Sequence, residues 1–134
     1  MNKIHHMAST LSIGRSKEMY LSGLLTLFFE KFKHKADMIF IDADHKYESA
    51  SRDFKNSLDI LNTGGVIIMH DTNPIEDRLF DFGYCGDSYK IISDLEAEEG
   101  LNILTLPCTE AGLSIITRKG EIRTDMRKDA TAQH

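Results

Sequence analysis

Two short apolar segments, each ending abruptly in polar residues, dominate the hydrophobic pattern of the chain. Met38–Ile41 is followed by Asp-Ala-Asp-His at 42–45, and Val66–Met69 is followed by His-Asp-Thr at 70–72. A continuous apolar run of this length is typical of a strand buried on both faces of a parallel sheet. The pattern therefore predicts two central strands, each with a polar cluster at its carboxyl end.

The segment between the two apolar runs has a helical period. Residues 47–61 place an apolar face on one side, and the charged residues fall elsewhere. Asp53 is among those charged residues, and we expect it to be a solvated surface charge. Residues 62–65 (Asn-Thr-Gly-Gly) tolerate a left-handed backbone and are expected to end the helix in a turn. Strand, helix and strand together form a βαβ unit.

The two polar clusters are expected at one edge of the sheet. A right-handed crossover makes the strands parallel, so their carboxyl ends emerge together. Ligands of open α/β sheets bind at that edge. We therefore expect five side chains that are distant in sequence to lie close together: Asp42, Asp44, His45, His70 and Asp71.

The flanking segments have simpler patterns. Ser16 is a plausible N-cap for a strongly apolar helix over Met19–Phe32, and Ile4–Met7 has the pattern of a short strand or an extended segment. A second helix is expected from Asp87 or Ser88 to about Glu99. Strands at Leu101–Leu106 and Leu113–Thr117 follow, and their short connection favours an antiparallel hairpin.

Composition narrows the class of protein. The chain has 134 residues, 41% of them hydrophobic, and a net charge of −5. These values indicate one domain, assigned to residues 1–120 with a flexible charged tail at 121–134, and they disfavour binding to nucleic acid. No apolar run is long enough to cross a membrane, and no signal peptide is apparent. Cys85 and Cys108 are expected to be free thiols, which favours a cytoplasmic location.

The stretch FIDADHKYES followed by LNTGGVIIMHD resembles the second half of class I S-adenosylmethionine-dependent methyltransferases, in particular small-molecule O-methyltransferases. The resemblance covers about 40 residues and is specific only as a composite. It implies an α/β fold, a partial Rossmann-like sheet with a parallel βαβ core and helices on both faces. It also implies a C-terminal antiparallel hairpin. Its last strand inserts beside the family's fifth strand, which corresponds to Val66–Met69 here.

The resemblance assigns roles at the sheet edge. Residues 42–45 (Asp42, Ala43, Asp44 and His45) correspond to the turn that contacts the cofactor, S-adenosylmethionine. Asp42, His70 and Asp71 occupy the positions of metal ligands, with His70 and Asp71 as catalytic residues. A carboxylate is usual at the position of His70, which weakens the case for Mg²⁺ and leaves room for Mn²⁺ or a softer ion.

Alternatives stay open at each of these residues. His70 could instead be a general base without any metal, or have a structural role. Asp44 and His45 could cap the following helix or line the pocket, and for Asp44 capping is favoured. The loop Asn73–Gly86 corresponds to the segment that helps build the acceptor pocket of the family. Its candidate substrate contacts are Arg78, Phe80, Phe82, Tyr84 and Cys85.

The family's N-terminal cofactor elements are missing from the sequence. No G-x-G-x-G turn is present, and about 36 residues precede the first central strand, too few for two βα units. Met38–Ile41 is therefore expected to be an apolar sheet edge, covered by Ile4–Met7 or by a homodimer or partner chain. Three functions follow: a small-molecule methyltransferase, a non-catalytic half-domain for binding or assembly, and, less favoured, a metal-assisted hydrolase.

Overall fold

In the described part of the chain, a six-stranded mixed sheet forms the centre and two α-helices pack against it. The structure, a computed structural model, describes residues 9–13, 17–21, 34–42, 44–107 and 111–121. Its elements are β1 (Ser9–Ile13), β2 (Lys17–Leu21), β3 (Ala36–Asp42), α1 (Tyr47–Ile60), β4 (Leu61–His70), α2 (Ile91–Glu96), β5 (Leu101–Leu106) and β6 (Leu113–Arg118), with 3-10 turns at Asp77–Phe80 and Ser88–Lys90.

The strand order is β2-β1-β3-β4-β6-β5. β3 and β4 are parallel and are joined through α1, so the predicted βαβ unit is confirmed. The other neighbouring pairs are antiparallel. β5 and β6 form the predicted hairpin, and β6 lies between β4 and β5, as the resemblance implied. The α/β class and the partial Rossmann-like sheet are thereby confirmed.

The expected turn at residues 62–65 is instead part of β4, which begins at Leu61 directly after the helix. Pairing passes from Ala36 opposite Leu61 to Met38 opposite Val66, so the extra residues of β4 form a bulge. Gly64 adopts a φ of 72° there, and its N–H donates to the Glu121 carboxylate at 2.9 Å. The left-handed glycine was predicted correctly, but it shapes a strand and does not end the helix.

The hydrophobic core lies on one face of the sheet. Ile39, Ile67 and Ile116 are almost fully buried there, against Phe54 of α1 and Ile91 of α2. Met38, on the opposite face of β3, is 40% exposed. The two described helices contact each other and cover the buried face of β3, so the described residues account for burial of one face of this strand. Residues 22–32, most of the helix predicted over Met19–Phe32, lie outside the described residues.

The N-terminal segment also differs from expectation. Lys17–Leu21 is the strand β2, whereas the sequence pattern predicted that a helix starts there. β1 pairs with β3 along residues 10–13, so β3 is an interior strand and the expected open edge is wrong. The covering strand is Ser9–Ile13; Ile4–Met7 and Ser16 lie outside the described residues. An open row of backbone groups on β3 explains why an extended segment pairs there.

The second helix is shorter than predicted. α2 ends at Glu96, preceded by the 3-10 turn at 88–90, and it buries Ile91, Ile92 and Leu95. Residues 122–134 of the predicted tail, and Cys108, lie outside the described residues.

Cys85 is a buried free thiol. Among the described helices, none combines the length and the hydropathy needed to span a membrane.

The prediction that Asp53 is a solvated surface charge was wrong. It is 2% exposed on the buried face of α1, one turn before the fully buried Ser57. Within the described chain, Asp53 Oδ2 and Ser57 Oγ have no hydrogen-bond partner, while Oδ1 accepts from Arg52 Nε at 3.4 Å. Burial raises the pKa of Asp53 to about 6.

Replacing this carboxyl is expected to change the pH dependence of stability. Because the pKa of Asp53 is raised on folding, its contribution is full below the unfolded value of 3.8 and is lost as pH rises through about 6. The unfolding free energy of wild type relative to Asp53→Asn should fall by about 2 kcal/mol between pH 4 and pH 7. Urea unfolding at several pH values measures this. Asp59→Asn, at an exposed position of α1, is the control, and equal slopes in both variants would refute the assignment.

Candidate functional site

The carboxyl ends of β3 and β4 bring four of the predicted side chains together. His45 Nε2 lies 3.1 Å from Asp71 Oδ2, and His70 Nδ1 lies 2.9 Å from Asp71 Oδ1. Asp42 Oδ1 is 3.9 Å from His70 Nδ1. The parallel pairing of β3 with β4 produces this convergence, as expected for residues that follow adjacent parallel strands.

Two of these residues have an unusual backbone. His45 has a φ of 63° and Asp71 a φ of 59°, and they are the two non-glycine residues with positive φ in the part of the chain that the structure describes. Histidine and aspartate tolerate this left-handed region better than most residues, but it is still sparsely populated. Asp71 directly follows β4, and His45 lies three residues after the end of β3. The left-handed backbone directs the two side chains towards each other.

Asp71 is the centre of the cluster. It is 8% exposed, and each of its carboxylate oxygens contacts one imidazole. Burial alone would raise the pKa of Asp71, but the hydrogen bonds from His45 and His70 outweigh it and hold the pKa well below its usual range. The buried Cys85 thiol also donates to Asp71 Oδ1 at 3.7 Å. Burial raises the pKa of Cys85 to about 11, so this thiol stays protonated at neutral pH.

His45 is held at both ring nitrogens. Its Nδ1 lies 3.2 Å from the carbonyl oxygen of Phe82, and its Nε2 faces Asp71. A neutral imidazole has a single N–H, so it can donate to only one of these acceptors. The hydrogen bond to Asp71 raises the pKa of His45, against the opposing effect of burial. The doubly protonated ring has two N–H groups and can donate to both acceptors.

His70 stands at the rim of the cluster, with its side chain 34% exposed. Its Nδ1 donates to Asp71, an arrangement that leaves the lone pair on Nε2 in the neutral ring. The hydrogen bond to Asp71 raises the pKa of His70 as well. Burial, followed by the charge of Asp71, raises the pKa of Asp42. The cluster thus contains two carboxylates and two imidazoles whose protonation is mutually dependent.

Asp42, His45 and Asp71 are suited to hold a metal ion. Each offers one ligand atom, and all three atoms lie within 4.8 Å of one another. Two carboxylates and one imidazole form a donor set that binds divalent cations. The resemblance had assigned His70 to this set and His45 to the cofactor turn. The spacing of His45, three residues after Asp42 in a tight turn, is the sequence signal that could have identified it.

Of the other residues of the predicted cofactor turn, the structure describes Asp44. Asp44 Oδ1 accepts from the Lys46 N–H at 3.3 Å, a local turn contact, and Ala43 lies outside the described residues. The first N–H group of α1, that of Tyr47, donates to Asp87 Oδ1 at 2.8 Å, so its acceptor comes from a distant loop. Capping by Asp44 was therefore wrong: the N-cap residue Lys46 has no side-chain cap, and Asp87 accepts the N–H of the first helical residue.

A cavity of about 520 Å³ opens beside the cluster. The loop after β4 forms one wall through Leu79, Gly83, Tyr84 and Cys85. Of the other acceptor-contact candidates, Arg78 lies over the Tyr84 ring at 5.9 Å, Phe80 packs edge-on against Tyr89, and Phe82 supplies its carbonyl to His45. Tyr84 and Cys85 thus line the cavity, whereas Arg78, Phe80 and Phe82 are not among its lining residues. The exposed rings of Phe80, Phe82 and Tyr84 give the loop an apolar outer surface.

Comparison with known proteins identifies the family. A family model described as a methyltransferase domain matches residues 5–72, half of the chain. No curated protein sequence matches the chain. Similar solved structures include the S-adenosylhomocysteine-bound methyltransferase PaMTH1 of Podospora anserina, with 20% identity and a TM-score of 0.58 over 79% of this chain and 50% of that one.

Two further solved structures have a similar fold. A putative O-methyltransferase from Klebsiella pneumoniae has 20% identity and a TM-score of 0.52 over 69% of this chain and 46% of that one. The O-methyltransferase from Bacillus cereus, in complex with S-adenosylhomocysteine, has 21% identity and a TM-score of 0.51 over 71% and 46%. The chain therefore spans about half the length of the solved structures that it matches.

Proposed function

Because the chain belongs to the methyltransferase domain family, we propose that it carries the acceptor-activating part of an S-adenosylmethionine-dependent O-methyltransferase for small molecules. The observation that carries this proposal is the Asp71 carboxylate held between His45 and His70, beside Asp42, at the carboxyl edge of β3 and β4. O-methylation requires a group that removes the acceptor's proton and a site that fixes the acceptor oxygen. This cluster offers both next to an open cavity.

A divalent cation fits the donor set of Asp42, His45 and Asp71. When bound there, such a cation would lower the pKa of an acceptor hydroxyl and fix its oxygen. The chain's own contribution is to hold the carboxylates in place. Asp71 is positioned by His70 and Cys85, while Asp42 remains accessible from the cavity.

His70 is the proposed general base. Its Nδ1–H is bonded to Asp71, so the lone pair of the neutral ring is on Nε2, at a position with access to solvent. His70 Nε2 would accept the hydroxyl proton of the acceptor. S-adenosylmethionine, when bound, would supply the methyl group to the acceptor oxygen and leave as S-adenosylhomocysteine, so that the methyl ether and protonated His70 balance the reaction. Asp71 supports the positive ring, since a carboxylate partner stabilises an imidazolium.

The second candidate is a non-catalytic half-domain that binds a partner. One observation favours it: β1 is antiparallel to β3, and β2 is antiparallel to β1. A class I methyltransferase carries its Gly-rich cofactor turn after a strand, and the described N-terminal strands here are joined as an antiparallel pair. A cofactor site would then need residues from outside the described part of the chain or from another molecule.

Calorimetric titration with S-adenosylhomocysteine separates the two functions. The methyltransferase proposal predicts saturable binding in the micromolar range. It also predicts at least tenfold weaker binding for Asp44→Asn, in the predicted cofactor turn. Asp59→Asn, at the far end of α1, should bind like wild type. A folded chain that gives no binding heat would support the half-domain and overturn the methyltransferase assignment for these residues alone.

A further inference from the structure

We propose that the ion held by Asp42, His45 and Asp71 is a borderline transition ion of the zinc type, and that His45 selects it over magnesium. The ion's role in acceptor activation rests on the proposed function, but its binding does not. The inference concerns the chemistry of the donor atoms at the carboxyl edge of β3 and β4.

The spacing of the donor atoms suits a shared ion. His45 Nε2 and Asp71 Oδ2 are 3.1 Å apart. Two ligands that each lie about 2.0–2.1 Å from one zinc ion are about 2.9–3.4 Å apart at octahedral or tetrahedral angles. The pair therefore has the separation of two ligands of one ion. Asp42, with 38% of its side chain exposed, lines the cavity and offers its ligand atom within 4.8 Å of the other two.

The carbonyl of Phe82 fixes the ring of His45 in the tautomer that a metal needs. With Nδ1–H donating to this carbonyl at 3.2 Å, the neutral ring presents its Nε2 lone pair to Asp71 and Asp42. Metal-binding histidines commonly donate their other N–H to a carboxylate or a backbone carbonyl in this way. This contact comes from outside the cluster, on the loop that follows β4. It holds the ring with Nε2 towards Asp71 and Asp42, the orientation that a ligand of a shared ion requires.

Magnesium is the poorer match for this set. Mg²⁺ prefers oxygen ligands in near-octahedral geometry and retains its water, whereas imidazole suits zinc and its neighbours. Here one of the three protein ligands is the imidazole of His45, and both of its ring nitrogens have protein contacts. Three protein ligands beside an open cavity also match the pattern of catalytic zinc sites, in which further positions stay open to water or substrate.

Metal titration of the chain, stripped of ions by chelator and dialysis, tests the proposal without any activity assay. Calorimetry with Zn²⁺ and Mg²⁺ is expected to show at least a 100-fold preference for Zn²⁺. Co²⁺ is expected to give a visible absorption band of a nitrogen- and oxygen-ligated site. His45→Gln should lower the Zn²⁺ affinity at least tenfold, abolish the cobalt band and leave the weak Mg²⁺ affinity unchanged.

His34→Gln is the matched control, because it removes an exposed imidazole two residues before β3, a strand that spans roughly 20 Å from Ala36 to Asp42. It should bind Zn²⁺ as wild type does. Far-ultraviolet circular dichroism of both variants establishes that they are folded. Equal affinities for Zn²⁺ and Mg²⁺, or Zn²⁺ binding that survives His45→Gln, would overturn the assignment. Loss of S-adenosylhomocysteine binding with Zn²⁺ preference intact would remove the methyltransferase function only.

Discussion

Replacing Gly86 with alanine is expected to destabilise the folded chain by roughly 3 kcal/mol, through a left-handed backbone and a main-chain clash. Gly86 has a φ of 54°, and a Cβ there would overlap the carbonyl oxygen of His45 and lie 2.8 Å from Phe82 Cδ1. The clash involves backbone, so no side-chain rotation relieves it. The neighbouring Asp87 N–H donates to the same His45 carbonyl at 3.1 Å, which holds the loop against the site.

Gly100→Ala provides the control for this substitution. Gly100 has nothing within 4 Å of an added Cβ and does not have a positive φ, so its replacement should change stability by less than about 0.5 kcal/mol. Urea unfolding followed by circular dichroism measures both variants. The affinity for Zn²⁺ should also fall in Gly86→Ala, because the loop that orients His45 is displaced. Wild-type stability in Gly86→Ala would show that the loop does not pack on His45.

Asp71→Asn is expected to lower the pKa of both His45 and His70 and to reduce Zn²⁺ affinity at least 100-fold. The hydrogen bonds to Asp71 are the main reason that both imidazole pKa values are raised, and an amide carries no charge to stabilise an imidazolium. NMR titration of the histidine rings in metal-free protein measures the two values. Asp77→Asn, on the exposed 3-10 turn, is the control. Unchanged histidine pKa values in Asp71→Asn would contradict the described contacts.

The same cluster determines a pH window of stability. The lowered pKa of Asp71 stabilises the fold above the unfolded value of 3.8, and this contribution is lost as pH falls through the folded pKa. The raised pKa values of His45 and His70 stabilise it below 6.5, and this contribution is lost as pH rises through their folded values. The cluster therefore contributes most between about pH 4 and 6.5. In Asp71→Asn this maximum should flatten.

The sequence pattern predicted the strand and helix types of the central unit and of the C-terminal hairpin, because hydrophobic period and short connections determine them locally. It was wrong at β2, where Lys17–Leu21 pairs with β1 instead of starting a helix. The local pattern does not distinguish a strand from a helix here, because β2 pairs with β1 and β1 in turn pairs with β3. Asp53 was misplaced because its position, three residues after the buried Ala50, was given less weight than its charge.

The meeting of the two polar clusters was also predictable, because it follows from parallel strands and one crossover. The separate roles of the two histidines were not. They depend on the left-handed backbone at His45 and Asp71, which turns these side chains towards each other, and on the Phe82 carbonyl from a distant loop. A local pattern contains neither contact. The assignment of Asp42, His70 and Asp71 as metal ligands stays a prediction beside the set that includes His45.

The insertion of β6 between β4 and β5 has a consequence for synthesis of the chain. A ribosome produces β4 well before β6, so the edge of β4 that later pairs through Ile67–His70 with residues 113–116 is open while the intervening segment emerges. Unpaired apolar edges of this kind invite association with other chains. Of the described strands, the last to be made is the one that closes the interior of the sheet. The nascent chain therefore leaves this edge of β4 unpaired until nearly all of the described residues have been translated.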